Sequence, residues 1–245
     1  MKPKSISIII PIYNEAPTTE ILLEKIDKLN IELKKEIIII ESNSNDGTRD
    51  IVKNFEKKSK NSRVIVIYEK KAEGKGIAVR KGIKRASGDI IAIQDADLEY
   101  DIEDYQKLIK PFIKKNAQAV YGSRHLGPHK WITRKYKKDR FYAFLLNIGQ
   151  IVYTSMFNLL YGTRMSDPAT MYKLFRKELT KGVNFKTKGF DFDWELTAKL
   201  VKSEINIIEI PVKYKSRSRK EGKKIRFFRD GWKVFSAIVR FRFSD

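Results

Sequence analysis

The sequence IIAIQDADLE, residues 90–99, decides the fold class of this 245-residue chain. Its four leading apolar residues indicate a strand buried on both faces, which is typical of a parallel sheet covered by helices. Asp95 and Asp97 follow at the end of that strand, and residues two apart in an extended segment point the same way. Their carboxylates can therefore converge on one hard cation, for which Mg²⁺ and Mn²⁺ are suited. A solvated acidic loop is the alternative interpretation.

Strand and helix signals alternate outward from this stretch. Asp46-Gly47 breaks the chain after the second strand, and Thr48 is predicted to cap the helix that follows. The order of elements predicts an α/β fold, in which a mostly parallel central sheet carries helices on both faces. Ligands bind at the carboxyl ends of the strands in such a fold. The predicted strands are 6–12, 36–40, 64–68, 89–94 and 117–121, and the predicted helices are 18–30, 51–58, 74–86 and 104–115.

Composition excludes several kinds of chemistry. The chain has no cysteine, which excludes a disulfide scaffold, an iron–sulfur cluster and thiol catalysis, and two histidines are too few for a His-triad metal centre. The formal net charge is +21, of which residues 1–120 carry +4 and residues 121–245 carry +17. This asymmetry predicts an anionic partner for the second half, either nucleic acid, an anionic membrane surface or a polyphosphate substrate. A generally lysine-rich proteome is the alternative explanation of the total charge.

An uncharged segment follows a basic run in the second half. Residues 130–140 contain six basic residues, and residues 141–162 contain no charged residue. Four polar residues of the uncharged segment recur at three- and four-residue steps, which predicts an amphipathic helix or helix pair that lies on a surface or lines a groove. A membrane span and an ordinary core helix are the alternatives. The four polar residues are Asn147, Gln150, Thr154 and Asn158.

The C-terminal segment repeats this arrangement. Residues 213–229 contain nine basic residues, and residues 227–243 mix aromatic and aliphatic residues with Lys233, Arg240 and Arg242. A basic amphipathic helix of this kind binds well at a membrane interface. A C-terminal helix packed on the rest of the domain is the alternative.

Five motifs stand in order at the predicted strand ends. With this order and spacing the chain resembles the family 2 glycosyltransferases over essentially its whole length. Within that family it is most similar to the polyprenyl-phosphate sugar transferases, the dolichyl-phosphate mannose synthase group. The five motifs are PIYNE at 11–15, ESNSNDGT at 41–48, GKG at 74–76, DAD at 95–97 and GSR at 122–124. Supporting motifs are SDP at 166–168, FDFD at 190–193 and RxxGxK at 219–224.

The resemblance implies a glycosyltransferase A fold, a UDP- or GDP-linked sugar donor, Mg²⁺ or Mn²⁺, and direct displacement with inversion at the sugar. It also implies a polyprenyl phosphate acceptor, and a saccharide acceptor is the alternative. We therefore expect a nucleotide-sugar-binding domain over residues 1–212 with an amphipathic insertion at 130–162. A basic loop and a C-terminal amphipathic helix are expected over residues 213–245.

The resemblance implies roles for residues on the donor side of the reaction. Glu41 stands where the family usually has an aspartate that binds the base. Asp95 and Asp97 match the acidic pair at the diphosphate and the metal, and Glu99 stands where this branch often has a glutamine as a further metal ligand. The residues that match the first nucleotide-binding loop are Pro11, Tyr13, Asn14 and Glu15.

On the acceptor side, Arg124 matches an arginine associated with the acceptor phosphate, and Asp167 matches an acidic residue near the reaction centre. Asp167 is predicted to orient a neighbour or act as a base, with a turn residue as the alternative. Asp193 and Glu195 are predicted either to face the acceptor or to cap a helix. Negative charge develops on the leaving diphosphate, and a metal and cationic side chains stabilise it. The candidate cations are Lys75, Arg219 and Lys224, the last two in a basic loop that the resemblance implies closes on phosphates.

The N-terminus lacks the pattern of a signal peptide, so we expect a cytoplasmic protein that is peripheral on the cytoplasmic face of the membrane. Each Lys or Arg near an anionic membrane contributes about 1 kcal/mol to binding. A nucleic-acid-binding protein is a competing hypothesis that leaves the acidic strand end unexplained, and we expect no nucleic-acid partner. A nucleotidyltransferase on a related fold is a further alternative.

Overall fold

The computed structural model describes residues 2–127, 132–134, 136, 140–218, 222 and 227–244. Its strands are β1 (Ser5–Ile12), β2 (Lys34–Glu41), β3 (Arg63–Tyr68), β4 (Ile90–Ile93), β5 (Ala119–Ser123), β6 (Lys173–Arg176) and β7 (Ile207–Pro211). They form one sheet in the order β3-β2-β1-β4-β6-β5-β7. Neighbouring strands are parallel except at β6, which runs antiparallel to β4 and β5. The predicted mostly parallel α/β sheet is therefore confirmed.

Helices cover the sheet. β2 and β4 are almost wholly buried, so side chains that point to either face of these strands are shielded from water. The helices in the described part of the chain are α1 (Ala16–Lys28), α2 (Thr48–Lys58), α3 (Lys75–Arg85), α4 (Tyr105–Lys114), α5 (Arg140–Tyr161), α6 (Phe192–Lys202) and α7 (Phe227–Phe243).

The register of the sheet brings several loops together at one edge. Ile12 at the end of β1 pairs with Glu41 at the end of β2, and Ile9 pairs with Ile93 at the end of β4. The loops after β1, β2 and β4 therefore emerge side by side. The acidic pair lies in one of these loops, as the sequence predicts.

Two short strands and one helix start differ from the sequence prediction. β6 and β7 are not predicted, because each is short and β6 begins with a charged residue, Lys173, that is nevertheless fully buried. The predicted cap by Thr48 is wrong. Gly47 is the capping position, and the Thr48 hydroxyl instead accepts from the Glu15 amide and donates to Asp46.

The uncharged segment forms the single helix α5 and not a pair, and its side chains Asn147, Gln150 and Thr154 are buried. Asn147 exchanges hydrogen bonds with the backbone of Arg134, and Gln150 donates to Thr154. Five of its large apolar side chains are exposed, whereas Leu146 and Phe157 are buried. Within the described residues, α5 alone is long and apolar enough to cross a membrane by length and composition. The exposed side chains are Phe141, Phe144, Ile148, Val152 and Leu159.

The C-terminal helix α7 packs against α5 and α6. Ala237, Ile238 and Phe241 are buried in the main core, so one face of α7 is part of the folded domain. Trp232 and Phe243 are 70% and 75% exposed on the rest of the helix. The boundary at residue 212 stays a prediction.

Candidate active site

A cavity of about 660 Å³ opens at the carboxyl ends of β1, β4 and β5. The N-terminal ends of α3 and α6 form one side of it, and parts of α5 and α7 form another. The cavity therefore reaches from the acidic strand end to the helix pair that carries exposed apolar residues. The residues predicted from sequence that line it are Pro11, Tyr13, Glu15, Lys75, Asp95, Asp97, Glu99 and Arg124.

Two cationic side chains contact the acidic pair. Lys75 Nζ lies 2.6 Å from Asp95 Oδ1, and Arg217 Nη2 lies 3.3 Å from Asp97 Oδ2. Arg217 also donates to both carboxylate oxygens of Glu15, at 2.7 and 3.1 Å. Burial, followed by the charges of neighbouring carboxylates, raises the pKa of Asp97 to about 7 despite the opposing effect of Arg217. The negative charge of Asp97 is therefore only partly compensated by the protein.

Close backbone packing at the start of α3 positions Lys75. The Gly76 amide donates to the Lys188 carbonyl at 2.9 Å, and a Cβ on Gly74, whose φ is +109°, would lie 2.4 Å from that oxygen. A side chain at Gly74 would thus push α3 away from the loop before α6. Burial tends to lower the pKa of Lys75, but Asp95 and Asp193 outweigh burial and raise it. Lys75 is therefore a fixed positive charge in the cavity.

Glu99 anchors the segment that contains Arg217. Its Oε2 accepts from the Tyr214 hydroxyl at 2.5 Å, and its Oε1 accepts from the Arg217 amide at 2.8 Å. Both carboxylate oxygens are therefore engaged within the protein. The predicted role of Glu99 as a metal ligand stays a prediction.

Asp95 and Asp97 are the residues that could hold a divalent cation. Mg²⁺ commonly binds through one or two carboxylates and fills its other positions with water and phosphate oxygens. In the described parts of the chain, no three acidic or imidazole groups converge on one point. A two-carboxylate site that is completed by a substrate diphosphate fits this donor set, and a cation there would offset the burial and the neighbouring carboxylates that raise the pKa of Asp97.

Arg124 and Asp167 form a buried bidentate ion pair. Arg124 Nε and Nη2 lie 2.7 and 2.6 Å from the two carboxylate oxygens of Asp167, and the Arg124 amide donates to the same carboxylate at 3.0 Å. Burial tends to raise the pKa of Asp167, but Arg124 outweighs it and lowers the pKa. Arg124 lines the cavity and Asp167 does not. The geometry fits an orienting role for Asp167 and not that of a base.

Other predicted residues lie away from the cavity or outside the described residues. Glu41 is fully buried, where it accepts from the Ser44 amide and contacts the Arg49 guanidinium. The predicted contact of Glu41 with the base stays a prediction. Asn14 accepts from the Asn45 amide and joins the loops after β1 and β2. Arg219 and Lys224 lie outside the described residues.

The family assignment follows from residues 7–183, which match the model described as glycosyl transferase family 2. That stretch contains the acidic pair and the Arg124–Asp167 ion pair. The chain belongs to glycosyl transferase family 2. The resemblance found in the motifs is thus confirmed.

Two relatives of this chain are named as sugar transferases of dolichyl phosphate. A dolichol-phosphate mannosyltransferase of Pyrococcus furiosus is 32% identical over 219 residues, which are 89% of this chain and 58% of that protein. A dolichyl-phosphate beta-glucosyltransferase of Dictyostelium discoideum is 28% identical over 251 residues, with 97% of this chain and 74% of that protein covered. The chain thus spans less than two thirds of the length of the Pyrococcus relative.

A solved structure has the same fold. Glucosyl-3-phosphoglycerate synthase from Mycobacterium tuberculosis, in complex with Mn²⁺, UDP and phosphoglyceric acid, has a TM-score of 0.71 at 16% identity. The superposition covers 99% of this chain and 80% of that chain. The predicted glycosyltransferase A fold is confirmed by this likeness, which shows the fold alone.

Several residues of the site are not assigned from the sequence. Arg217 lies two positions before the predicted Arg219 in the same basic run. The sequence does not distinguish Arg217 from the other basic residues of that run. For Asp193 and Glu195 the sequence left two roles open. Glu195 is fully buried and binds the amides of residues 186 and 187, whereas Asp193 lines the cavity with Trp194. Residues that follow a strand can be assigned to a site from the sequence. Residues at the start of a distant helix cannot, because their position depends on tertiary packing that hydrophobic periodicity does not reveal.

Proposed function

We propose that this family 2 protein transfers a sugar from a UDP- or GDP-linked donor to a polyprenyl phosphate at the cytoplasmic surface of a membrane. The observation that carries the proposal is the continuity of the cavity. One end contains Asp95, Asp97 and Lys75, and the other is bordered by α5 and α7. A polar donor and a lipid-linked acceptor could therefore meet in one space.

The donor end is suited to a nucleotide diphosphate. A divalent cation held by Asp95 and Asp97 would stabilise the charge that develops on the leaving diphosphate. The fold relative from Mycobacterium tuberculosis, solved with Mn²⁺ and UDP, supports a metal of this kind. Lys75, whose pKa is raised by the nearby carboxylates, adds a permanent positive charge to the same place. The loops that carry Tyr13 and Glu15 lie beside the diphosphate end.

At the acceptor end the protein must bind the anionic phosphate, and it does not need to remove a proton from it. A phosphate monoester is already ionised near neutral pH, so its oxygen can attack the sugar directly, with inversion, without a strong base. This agrees with the ion-paired state of Asp167, whose pKa is lowered by Arg124. Arg124 lines the cavity, and its ion pair with Asp167 fixes the guanidinium beside the place that we assign to the acceptor phosphate.

The outward faces of α5 and α7 support attachment to a membrane. Phe141 and Leu159 on α5 are 72% and 84% exposed, and Trp232 on α7 is 70% exposed. Apolar side chains in water are unfavourable, and their transfer into a bilayer interface removes that cost. Basic residues near these helices would bind the headgroups of anionic lipids.

Sugar transfer can be tested with radiolabelled UDP- and GDP-sugars, Mn²⁺ and polyprenyl phosphate in anionic vesicles. We expect label to enter the organic-extractable fraction, and we expect EDTA or the substitution Asp97→Asn to abolish this product. Asp101→Asn is the matched control, because Asp101 lies outside the cavity and pairs with Lys213. Label that appears only in a water-soluble saccharide would favour a saccharide acceptor and contradict the proposal.

A further inference from the structure

Asp193 is a buried carboxylate that the reaction described so far does not use. It stands in the first turn of α6 and is 6% exposed. Its Oδ1 has no hydrogen-bond partner among the described residues. Buried acceptors in folded proteins are normally satisfied, and one that is not commonly marks a binding site. The side chain lines the cavity on the same wall as Trp194 and Phe190.

The surroundings of Asp193 restrict the ligand that it could bind. Lys75 is a positive charge at the donor end, and its Nζ is already 2.6 Å from Asp95 Oδ1. A carboxylate repels phosphate, so Asp193 is unsuited to the diphosphate or to the acceptor phosphate. It is a strong acceptor for neutral hydroxyl donors, because hydrogen bonds to charged groups are stronger than those between neutral groups. Aromatic walls with a few convergent polar groups are typical of small-molecule sites.

No hydrogen bond from the described residues explains the burial of the Asp193 carboxylate, although its charge offsets those of Lys75 and Lys173. The neighbouring Glu195 receives three hydrogen bonds from residues 186 and 187, and that carboxylate holds the loop before α6. Lys173, which is also buried, donates to Pro168 and Thr197 and not to Asp193. Burial raises the pKa of Asp193 to about 6, and Lys75 and Lys173 only partly oppose this. The fold therefore keeps an acceptor at this position at a cost in stability.

We propose that Asp193 accepts hydrogen bonds from hydroxyl groups of the sugar in the nucleotide-sugar donor, against a wall formed by Trp194 and Phe190. This inference rests on the proposed function, because it assigns the sugar subsite of the same cavity. Sites built to bind a hydroxyl discriminate strongly against ligands that lack it. Asp193 is thus a specificity-determining residue for the donor.

Binding measurements separate the sugar from the rest of the donor. Calorimetric titrations in Mn²⁺ would compare UDP and GDP with their glucose- and mannose-linked forms, for the wild type, Asp193→Asn and Asp193→Ala. We expect both variants to lose about tenfold or more in affinity for the sugar nucleotide that the wild type prefers. Their affinity for the nucleoside diphosphate should stay within about twofold of the wild type.

Asp191→Asn is the matched control, since Asp191 lies two residues earlier and its carboxylate accepts from the Gly189 amide. Thermal unfolding verifies that each variant is folded, and we expect no loss of stability in Asp193→Asn. Equal losses for nucleotide and sugar nucleotide, or unchanged binding of both, would overturn the inference. The same holds if the wild type binds no sugar nucleotide more tightly than the free diphosphate.

The outcome is distinguishable from failure of the proposed function. These titrations contain no lipid, so they report on the donor alone. Sugar-dependent binding through Asp193 without any organic-extractable product would leave this inference standing and refute the polyprenyl phosphate acceptor. Extractable product with unaltered donor binding in Asp193→Asn would refute this inference alone.

Discussion

Arg217 connects the basic C-terminal segment to the acidic end of β4. Its guanidinium bridges Glu15 and Asp97, and its side chain is only 17% exposed. A monovalent guanidinium therefore lies beside a carboxylate that is suited to a divalent cation. Burial tends to lower the pKa of Arg217, but the surrounding carboxylates outweigh burial and raise the pKa. The side chain is therefore permanently charged. Binding of a metal at Asp97 must compete with this contact.

Arg217→Gln should accordingly strengthen the binding of Mn²⁺ in the absence of nucleotide. A partly exposed ion pair contributes up to about 1 kcal/mol, so we expect an apparent affinity that is about threefold to fivefold higher. The concentration of free Mn²⁺ during a titration can be measured by electron paramagnetic resonance. Lys213→Gln is the control, since Lys213 lies in the same segment, is 75% exposed and pairs with Asp101. Weaker Mn²⁺ binding in Arg217→Gln would show that Arg217 supports the site instead of competing for it.

At the scale of elements, α5 has buried polar side chains on one side and exposed apolar side chains on the other. Asn147 on its inward side bonds to the backbone of Arg134, whereas five large apolar side chains on its outward side are exposed. The sequence predicted the two faces correctly because they follow from helical periodicity. It could not predict which face lies inward. That depends on the backbone groups that Arg134 offers to Asn147 and on the packing of α5 against the rest of the domain.

Replacing the outward apolar face of α5 should weaken attachment to vesicles. The triple variant Phe144→Gln, Ile148→Gln and Val152→Gln changes side chains that are 57%, 41% and 54% exposed. Each apolar side chain that is buried in a membrane stabilises the bound state by about 1 kcal/mol or more, so we expect co-sedimentation with anionic liposomes to fall at least about tenfold. The melting temperature should not decrease, because these side chains are outside the core.

Ile21→Gln on α1 is the matched control for this experiment, since Ile21 is 51% exposed on another helix. It should co-sediment like the wild type. Point substitutions are preferable to removal of α7, because Ala237, Ile238 and Phe241 belong to the main core. Undiminished co-sedimentation of the triple variant would exclude the outward face of α5 as the attachment surface.

At the scale of the whole molecule, the sequence predicted the parts of the site that are local. The strand ends that carry Tyr13, Asp95 and Asp97 are contiguous motifs, and parallel strands bring their carboxyl ends to one edge. The contributions of Arg217 and Asp193 come from the far end of the chain and depend on how β7 and α6 dock. The motif at Glu41 did not reveal that this side chain is buried in an ion pair with Arg49, and its predicted contact with the base stays a prediction.

The net charge is distributed unevenly between the two halves of the chain. Residues 121–245 carry most of the net charge of +21, and the acidic pair lies in the first half, which is nearly balanced. Basic residues of the second half can attract lipid headgroups or phosphates, while the first half supplies the carboxylates for a cation. Acidic residues of the first half and basic residues of the second half line the same cavity, and the proposed function requires both.

The central claim is that Asp95 and Asp97 hold a divalent cation at the diphosphate of the donor. A crystal structure with Mn²⁺ and UDP or GDP tests it most directly, because the anomalous signal of manganese locates the metal without reference to activity. We predict a manganese peak in contact with Asp95 or Asp97 and with diphosphate oxygens, with Arg217 displaced from Asp97. A bound nucleoside diphosphate without manganese beside these aspartates, or manganese bound elsewhere, would contradict the account.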